Sequence, residues 1–372
     1  MKILQVAGAR PNFVKIAPLH RAFLQYSDMH PQIVHTGQHY DFLMSGIFFE
    51  QLKIPKPDHF LGVGQGSATT QTAEIMSAFE RVLRAEMPDL VLVVGDVTST
   101  LACALAAVQM HVPLAHVEAG LRSRDRTMPE EVNRILTDAL SDQLFVTEQA
   151  AADNLLRENI DPLRIHLVGN VMIDSLVSVR EQIEDFSLYG HLPIESERYL
   201  LVTMHRPANV DDEVNLRKIA GVLERLGMRW KILFVMHPRT ARNITRFGLE
   251  KEFLELVNVK VLPAQGYLEF LTLVRHAAAV ITDSGGIQEE TTYLGIPCIT
   301  LRNNTERPAT VTHGTNYLVP DFDAQKVWNT VEALLDRNPE GLAIPPLWDG
   351  NSAERIVNIL REKYINSYVC DK

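Results

Sequence analysis

Short apolar runs, rich in β-branched residues, recur along this chain. Each ends in a glycine or charged turn that opens a segment with helical spacing. The first runs span residues 2–7, 32–36, 90–94, 113–117 and 144–147. A later series spans residues 199–203, 231–236, 259–262, 278–281 and 298–301. Strands that alternate with helices cannot pair as hairpins; each crossover returns over a sheet face and leaves the strands parallel. The pattern therefore predicts an α/β protein with parallel sheets covered by helices on both faces. At 372 residues the chain exceeds one ordinary core, so two domains are expected. We place the first at residues 1–170, with the terminal helix 352–372 returning onto it, and the second at residues 171–351. A helix and a polar stretch holding Gly190 and Pro193 form the linker between the two series.

Composition narrows the function. Apolar residues make up 46% and charged residues 22%, with a formal net charge of −10. That balance argues against a nucleic-acid or acidic-membrane partner while leaving room for a local phosphate pocket. The most apolar stretch, residues 101–117, is interrupted by Gln109, His111 and His116 and is too polar to span a membrane. Cys103, Cys298 and Cys370 are far apart and form no metal or disulfide spacing. The first residues read as a strand rather than a signal peptide, so a cytoplasmic protein without metal or cofactor is expected.

Parallel open sheets bind ligands at the carboxyl ends of their strands. The stretch Thr282-Asp-Ser-Gly-Gly-Ile-Gln-Glu-Glu290 lies there, after a strand and at the start of a helix that stops at Gly295 and Pro297. Ser284 can cap that helix, and Gly285 and Gly286 let a ligand approach free backbone N–H groups where the helix dipole favours a phosphate. Glu290 follows within two turns, where a carboxylate can hold a sugar diol. At the end of the first strand, Arg10 and Lys15 place two cations near a helix start, an arrangement that calls for an anion. The same rule collects Asp96, Glu118 and Glu130 from the first domain and His205 from the second. Separately, Asp96 could cap the 98–100 turn, Glu118 form a salt bridge and Glu130 serve as a first-turn charge. Converging on one cleft they would repel one another, and at least one would have the raised pKa that a general acid or base requires. Gly62-Val-Gly-Gln-Gly66 lacks both a preceding strand and a following Lys-Ser/Thr, so we read it as a flexible loop and not a phosphate cradle.

Gly8-Ala-Arg-Pro11 with Lys15, Gly95-Asp96, His116-Val-Glu-Ala-Gly-Leu-Arg122, Pro129-Glu-Glu-Val-Asn-Arg134, Asp283-Ser-Gly-Gly-Ile-Gln-Glu-Glu290 and Thr305-Glu-Arg-Pro308 resemble, in order, the motifs of the non-hydrolysing UDP-N-acetylglucosamine 2-epimerases. The resemblance covers nearly the whole chain. It implies two Rossmann-like domains facing a cleft, as in GT-B glycosyltransferases, with a UDP-sugar between them. It also implies anti-elimination of UDP to 2-acetamidoglucal, followed by re-addition with C2 inverted. Asp96, Glu118 and Glu130 would be the acid/base carboxylates, with His205 beside them. Arg10, His205 and the Ser284-Gly285-Gly286 turn would hold the diphosphate, with Lys15 in addition. Glu290 would hold the ribose, Gln265 and Phe270 the uracil, and Arg307 would lie near the nucleotide. His237 and His313 are read as structural. A homodimer is expected on the same ground.

Two stretches depart from many members of that family. Gln38-His-Tyr-Asp-Phe42 replaces the segment that supports an activating second substrate, which puts such regulation in doubt. Met204-His-Arg-Pro-Ala-Asn209 keeps the histidine and changes its neighbours. Three other enzymes stay open: a 2-epimerase of another UDP-sugar such as a diacetamido uronic acid, a hydrolysing 2-epimerase, and a GT-B glycosyltransferase. A nucleotide-sugar sensor is the non-catalytic alternative.

Overall fold

A computed structural model describes residues 1–37, 49–64, 66–185, 198–336 and 343–365. The chain forms two compact units. One comprises Met1–Ser178 together with the segment that begins at Pro346, and the other is Val179–Pro345.

The first unit is a seven-stranded sheet in the order β3-β2-β1-β4-β5-β6-β7. Its strands are β1 (Lys2–Ala7), β2 (His30–His35), β3 (His59–Phe60), β4 (Leu90–Val94), β5 (Leu114–Ala119), β6 (Gln143–Val146) and β7 (Ile165–Leu167). Every neighbouring pair is parallel. The order reverses between β1 and β4, so the loops leaving these two strands part to opposite faces and open a crevice at their carboxyl ends. Strand alternation assigns the faces. Leu4 and Val6 of β1 pack with Ile75, Phe79 and Leu83 of the helix Ala68–Glu86 and with the small residues of the helix Thr98–Gln109. Gln5, pointing the other way, accepts at Oε1 from His20 Nδ1 of the helix Arg10–Phe23 at 2.8 Å. That helix in turn packs on Val171–Ser178 and on Ser352–Tyr364, so the chain's last described helix lies in the first unit.

The second unit repeats the plan with six parallel strands in the order β10-β9-β8-β11-β12-β13. They are β8 (Tyr199–Thr203), β9 (Lys231–Val235), β10 (Val259–Leu262), β11 (Ala279–Thr282), β12 (Cys298–Thr300) and β13 (Asn316–Leu318). Here the order reverses between β8 and β11. Leu200, Val202, Phe234, Ile281 and Ile299 pack beneath the helices Glu213–Gly227 and Ala324–Leu335. The two parallel-sheet domains expected from the sequence are both present. Among the described residues, no helix is long and apolar enough to cross a membrane.

Candidate functional site

The first unit gathers its chemistry at the β1/β4 reversal. Asn12, in the first turn of the helix Arg10–Phe23, accepts from the backbone N–H of Gly8 (3.1 Å) and Ala9 (2.9 Å) and donates to Val94 O (3.0 Å). One side chain thus joins the turn after β1 to the end of β4. Gly95 follows with φ +67, and a Cβ there would lie 3.0 Å from Lys15 Nζ and 3.7 Å from Glu118 Oε2. Lys15 and Glu118 form an ion pair, 5% and 4% exposed. The anion that Lys15 faces is therefore a carboxylate of the chain itself.

Glu118 is the most constrained of the three candidate carboxylates. It sits where β5 slips register against β6, between Val117 and Ala119, and its φ is +74. A bulge re-aims a side chain, and a non-glycine residue in the left-handed region stores about 1 kcal/mol or more of strain. Asp96 is half-buried and pairs with Arg134 of the helix Pro129–Leu140, while Asn133 donates to Asp96 O at 2.9 Å. The cap of the helix after β4 is Val97, not Asp96. Glu130 lies half-buried in the first turn of Pro129–Leu140. Its neighbour Glu131 is buried and accepts from Ser123 N and Arg124 N, both 2.9 Å, and from Arg134. Asp96 and Glu118 are thus each held by a cation of this unit.

In the second unit, buried Asp283 accepts from His205 N (3.0 Å), Arg206 N (2.9 Å) and Asn209 Nδ2 (3.0 Å) and lies 3.2 Å from His205 Nδ1. Burial alone would raise its pKa; the bonds from His205, Arg206 and Asn209 outweigh that and hold it below the usual carboxylate range. The end of β11 therefore clamps the turn that carries His205. His205 stacks on His237, with ring centroids 5.2 Å apart, and His237 caps the helix Pro238–Arg246 through its ring nitrogen.

Ser284 occupies the N-cap of Gly285–Leu294 with extended backbone, yet its hydroxyl makes no capping bond, which leaves the first N–H groups without a side-chain cap. Arg307 packs close against this turn: a Cβ on Gly285 would lie 2.3 Å from its Nη1. The guanidinium is held by Glu289 (3.0 Å) and Glu306 (2.6 Å), and Glu306 also meets Arg302 (2.8 Å) and Arg206 (3.3 Å). Burial opposes ionisation of Glu306, but Arg307, Arg302 and Arg206 overturn that and hold its pKa far below normal. Glu290 has no such ion pair among the described residues; burial and the adjacent Glu289 push its pKa up to about 8. Burial, and then the Glu290 charge, likewise raise the Tyr267 phenol well above its ordinary value. Phe270 is half-buried one turn along on the same helix, Tyr267–His276, and Gln265 donates to Pro263 O at 2.7 Å just before it.

Lys15, Asp96, Glu118 and Glu130 thus belong to one unit, and His205, Gln265, Phe270, Ser284, Gly285, Gly286, Glu290 and Arg307 to the other. Arg10 opens its helix. Residues 38–42 lie outside the described residues. Sequence reasoning passed over Asn12, Arg134, Asn209 and Tyr267. Arg134 and Asn209 had a signal, their places in the Pro129-Glu-Glu-Val-Asn-Arg134 motif and the Met204–Asn209 stretch; Asn12 and Tyr267 become visible once partners far along the chain are known. Among the described residues no cluster of His, Cys, Asp and Glu is arranged to hold a metal ion.

Residues 21–361 match the family model described as UDP-N-acetylglucosamine 2-epimerase. The chain is 41% identical to the UDP-N-acetylglucosamine 2-epimerase of Methanocaldococcus jannaschii, over 97% of this chain and 99% of that protein. It is 43% identical to the UDP-2,3-diacetamido-2,3-dideoxy-D-glucuronate 2-epimerase of Pseudomonas aeruginosa, over 86% of this chain and 88% of that one. A crystal structure of the M. jannaschii enzyme in complex with UDP-GlcNAc and UDP superposes with a TM-score of 0.90, at 39% identity and over 97% and 99% of the two chains. At the level of fold alone, a glycotransferase of kitacinnamycin matches with a TM-score of 0.61 at 12% identity.

Proposed function

This chain belongs to the UDP-N-acetylglucosamine 2-epimerase family, and from that premise we propose that it interconverts UDP-GlcNAc and UDP-ManNAc without net hydrolysis. A carboxylate among Asp96, Glu118 and Glu130 takes the proton from C2 while the C1–O bond breaks and its electron pair leaves with UDP. The C1=C2 double bond of 2-acetamidoglucal forms. In return, a carboxyl group protonates C2 from the opposite face and the UDP phosphate oxygen attacks C1. No electrons are gained or lost overall. The proton transfers are assigned to the three carboxyls as a set rather than to one of them.

Charge grows on the leaving diphosphate, and donors already in place stabilise it without reorganisation. We assign that task to Arg10, His205 and the Ser284-Gly285-Gly286 turn, whose helix start has no side-chain cap from Ser284, with Lys15 shared between Glu118 and the phosphate. Glu290 takes the ribose hydroxyls, Gln265 and Phe270 take the uracil, and Arg307 supports the nucleotide turn. On the family's account the protein works in the cytoplasm as a homodimer, which light scattering checks.

The observation that carries the reading is Glu118: a buried glutamate, ion-paired to Lys15 and held at φ +74 on a bulge. Strain of that kind persists where a side chain must be aimed. Proton and phosphorus NMR with UDP-GlcNAc in D₂O tests the proposal. Deuterium at C2 and UDP-ManNAc rising to a plateau with little free UDP are expected. Stoichiometric UDP with free N-acetylmannosamine would mean hydrolysis instead, and no exchange would refute this substrate. The 43%-identical P. aeruginosa relative favours a second substrate, the UDP-diacetamido uronic acid, for which the same experiment decides.

A further inference from the structure

Asp138 lies on the helix Pro129–Leu140, 1% exposed, and none of the steps above uses it. Its Oδ1 is 2.7 Å from His116 Nδ1, and His116 Nε2 is 2.8 Å from Gly95 O. A carbonyl only accepts, so Nε2 carries a proton. Burial opposes ionisation of Asp138, but His116 and Arg122 hold its carboxyl below the usual range. The ring thus bridges the Asp138 carboxyl and the Gly95 carbonyl, one at each nitrogen. Asp138 Oδ2 accepts from Gly120 N (3.0 Å) and Arg122 Nη1 (2.7 Å). Arg122 continues to Glu158 through Nε (2.8 Å) and Nη2 (2.6 Å).

The geometry points to a task. Gly95 is the residue before Asp96, and Gly120 is two residues after Glu118. One carboxylate thus reaches both peptides, the first through the imidazole and the second directly. We propose that Asp138, with His116 as its arm, is a positioning residue that fixes the spacing of the backbones carrying Asp96 and Glu118. Arg122 sits between Asp138 and Glu158, so its guanidinium is shared by the two carboxylates that close the set. Buried ion pairs contribute little net stability over apolar groups of the same shape. What they do supply is direction, and misplacement of a catalytic group by about 1 Å can cost roughly 100-fold in rate.

The inference rests on the proposed epimerase reading. Asp138→Ala should lower kcat roughly 100-fold with the Kd for UDP, measured by titration calorimetry, within about twofold of the parent. His116→Gln, whose amide can still donate to Gly95 O, should recover part of the rate that His116→Ala loses. Crystal structures of parent and variant should show the Gly95 to Gly120 separation changed. Should Asp138→Ala not fold, Asp138→Asn keeps an acceptor for Gly120 and is read in the same way. Parent-like kcat in a folded variant, loss of UDP affinity in parallel with kcat, or an unmoved Gly95 and Gly120 each overturns the positioning role. A parent protein that turns over neither UDP-sugar overturns the epimerase reading instead; the crystallographic comparison then decides the inference alone.

Discussion

Glu289 and Glu290 are adjacent in the chain, yet one has a guanidinium at 3.0 Å and the other is raised to about 8 by burial and by that neighbour. Between the ordinary glutamate pKa and about 8, the folded protein holds a proton on Glu290 that the unfolded chain releases. Its contribution to stability is complete below about pH 4.5 and is lost as pH rises through about 8. Glu290→Gln removes the ionisable group. Its melting temperature should exceed the parent's by a margin that widens from pH 5 to 8 and then stays level, while UDP affinity should fall if Glu290 holds the ribose as we propose. Thermal melts across that range check it; a constant margin would mean that Glu290 is ionised throughout. Glu118 poses the opposite case, a buried carboxylate with its cation beside it. Lys15→Met should destabilise the protein by about 3 kcal/mol in urea melts, since the buried charge remains. Glu118→Gln should retain UDP binding and lose most turnover; unchanged kcat would remove it from the catalytic set.

The helix Pro129–Leu140 shows how one element can serve a site several ways. Glu130 faces the candidate chemistry in our proposal, Arg134 holds Asp96, and Glu131 accepts the N–H groups of Ser123 and Arg124 in the loop after β5. Replacing Glu131 by Gln sets an amide N–H against a backbone N–H at a buried position, at a cost of about 2 kcal/mol. Hydrogen exchange at Ser123 and Arg124 should then accelerate, while Val117 within β5 exchanges as before; equal rates at Ser123 would show that the loop is held by other bonds. Elements of this kind were legible in the sequence wherever a strand is buried on both sides. β1, β4, β8 and β9 read directly from their apolar runs. β3, β7 and β13 did not: each is the outermost strand of its sheet, two or three residues long and partly exposed, too short to carry a pattern. The motif residues were legible for a different reason. They lie at strand ends, where glycine and charge interrupt the apolar run. Their partners were not, since Asn12 meets Val94 and Asp138 meets His116 only after the sheet has formed.

At the scale of the molecule, the first unit needs the far end of the chain. Trp348 is 1% exposed and donates through its indole N–H to Thr147 O at 3.0 Å. Asp174 accepts from Ala353 N at 2.6 Å, Tyr26 donates to Asn358 at 2.7 Å, and Arg361 pairs with Asp28 at 2.9 Å. The helix Ser352–Tyr364 also buries Ile356, Val357 and Leu360. The second unit closes from one continuous stretch, Val179–Pro345, whereas the first cannot complete its packing until residues beyond 345 are present. Truncating Trp348 to Ala empties the largest buried side chain of that crossing and should cost the first unit about 3–5 kcal/mol. Calorimetry of Trp348→Ala should therefore show an early transition, assigned by hydrogen exchange to residues 1–178, with Val179–Pro345 melting as in the parent. Adding UDP should raise the later transition more than the early one, because every residue we assign to uracil and ribose lies in the second unit and only the proposed Arg10 and Lys15 contacts to the diphosphate lie in the first; ligand binding stabilises what it binds in proportion to the logarithm of its concentration. If UDP raised the early transition as much as the later one, the Arg10 and Lys15 contacts would carry as much of its affinity as the uracil, ribose and Gly285–Leu294 helix-start contacts together, and the assignment of the nucleotide mainly to the second unit would fail.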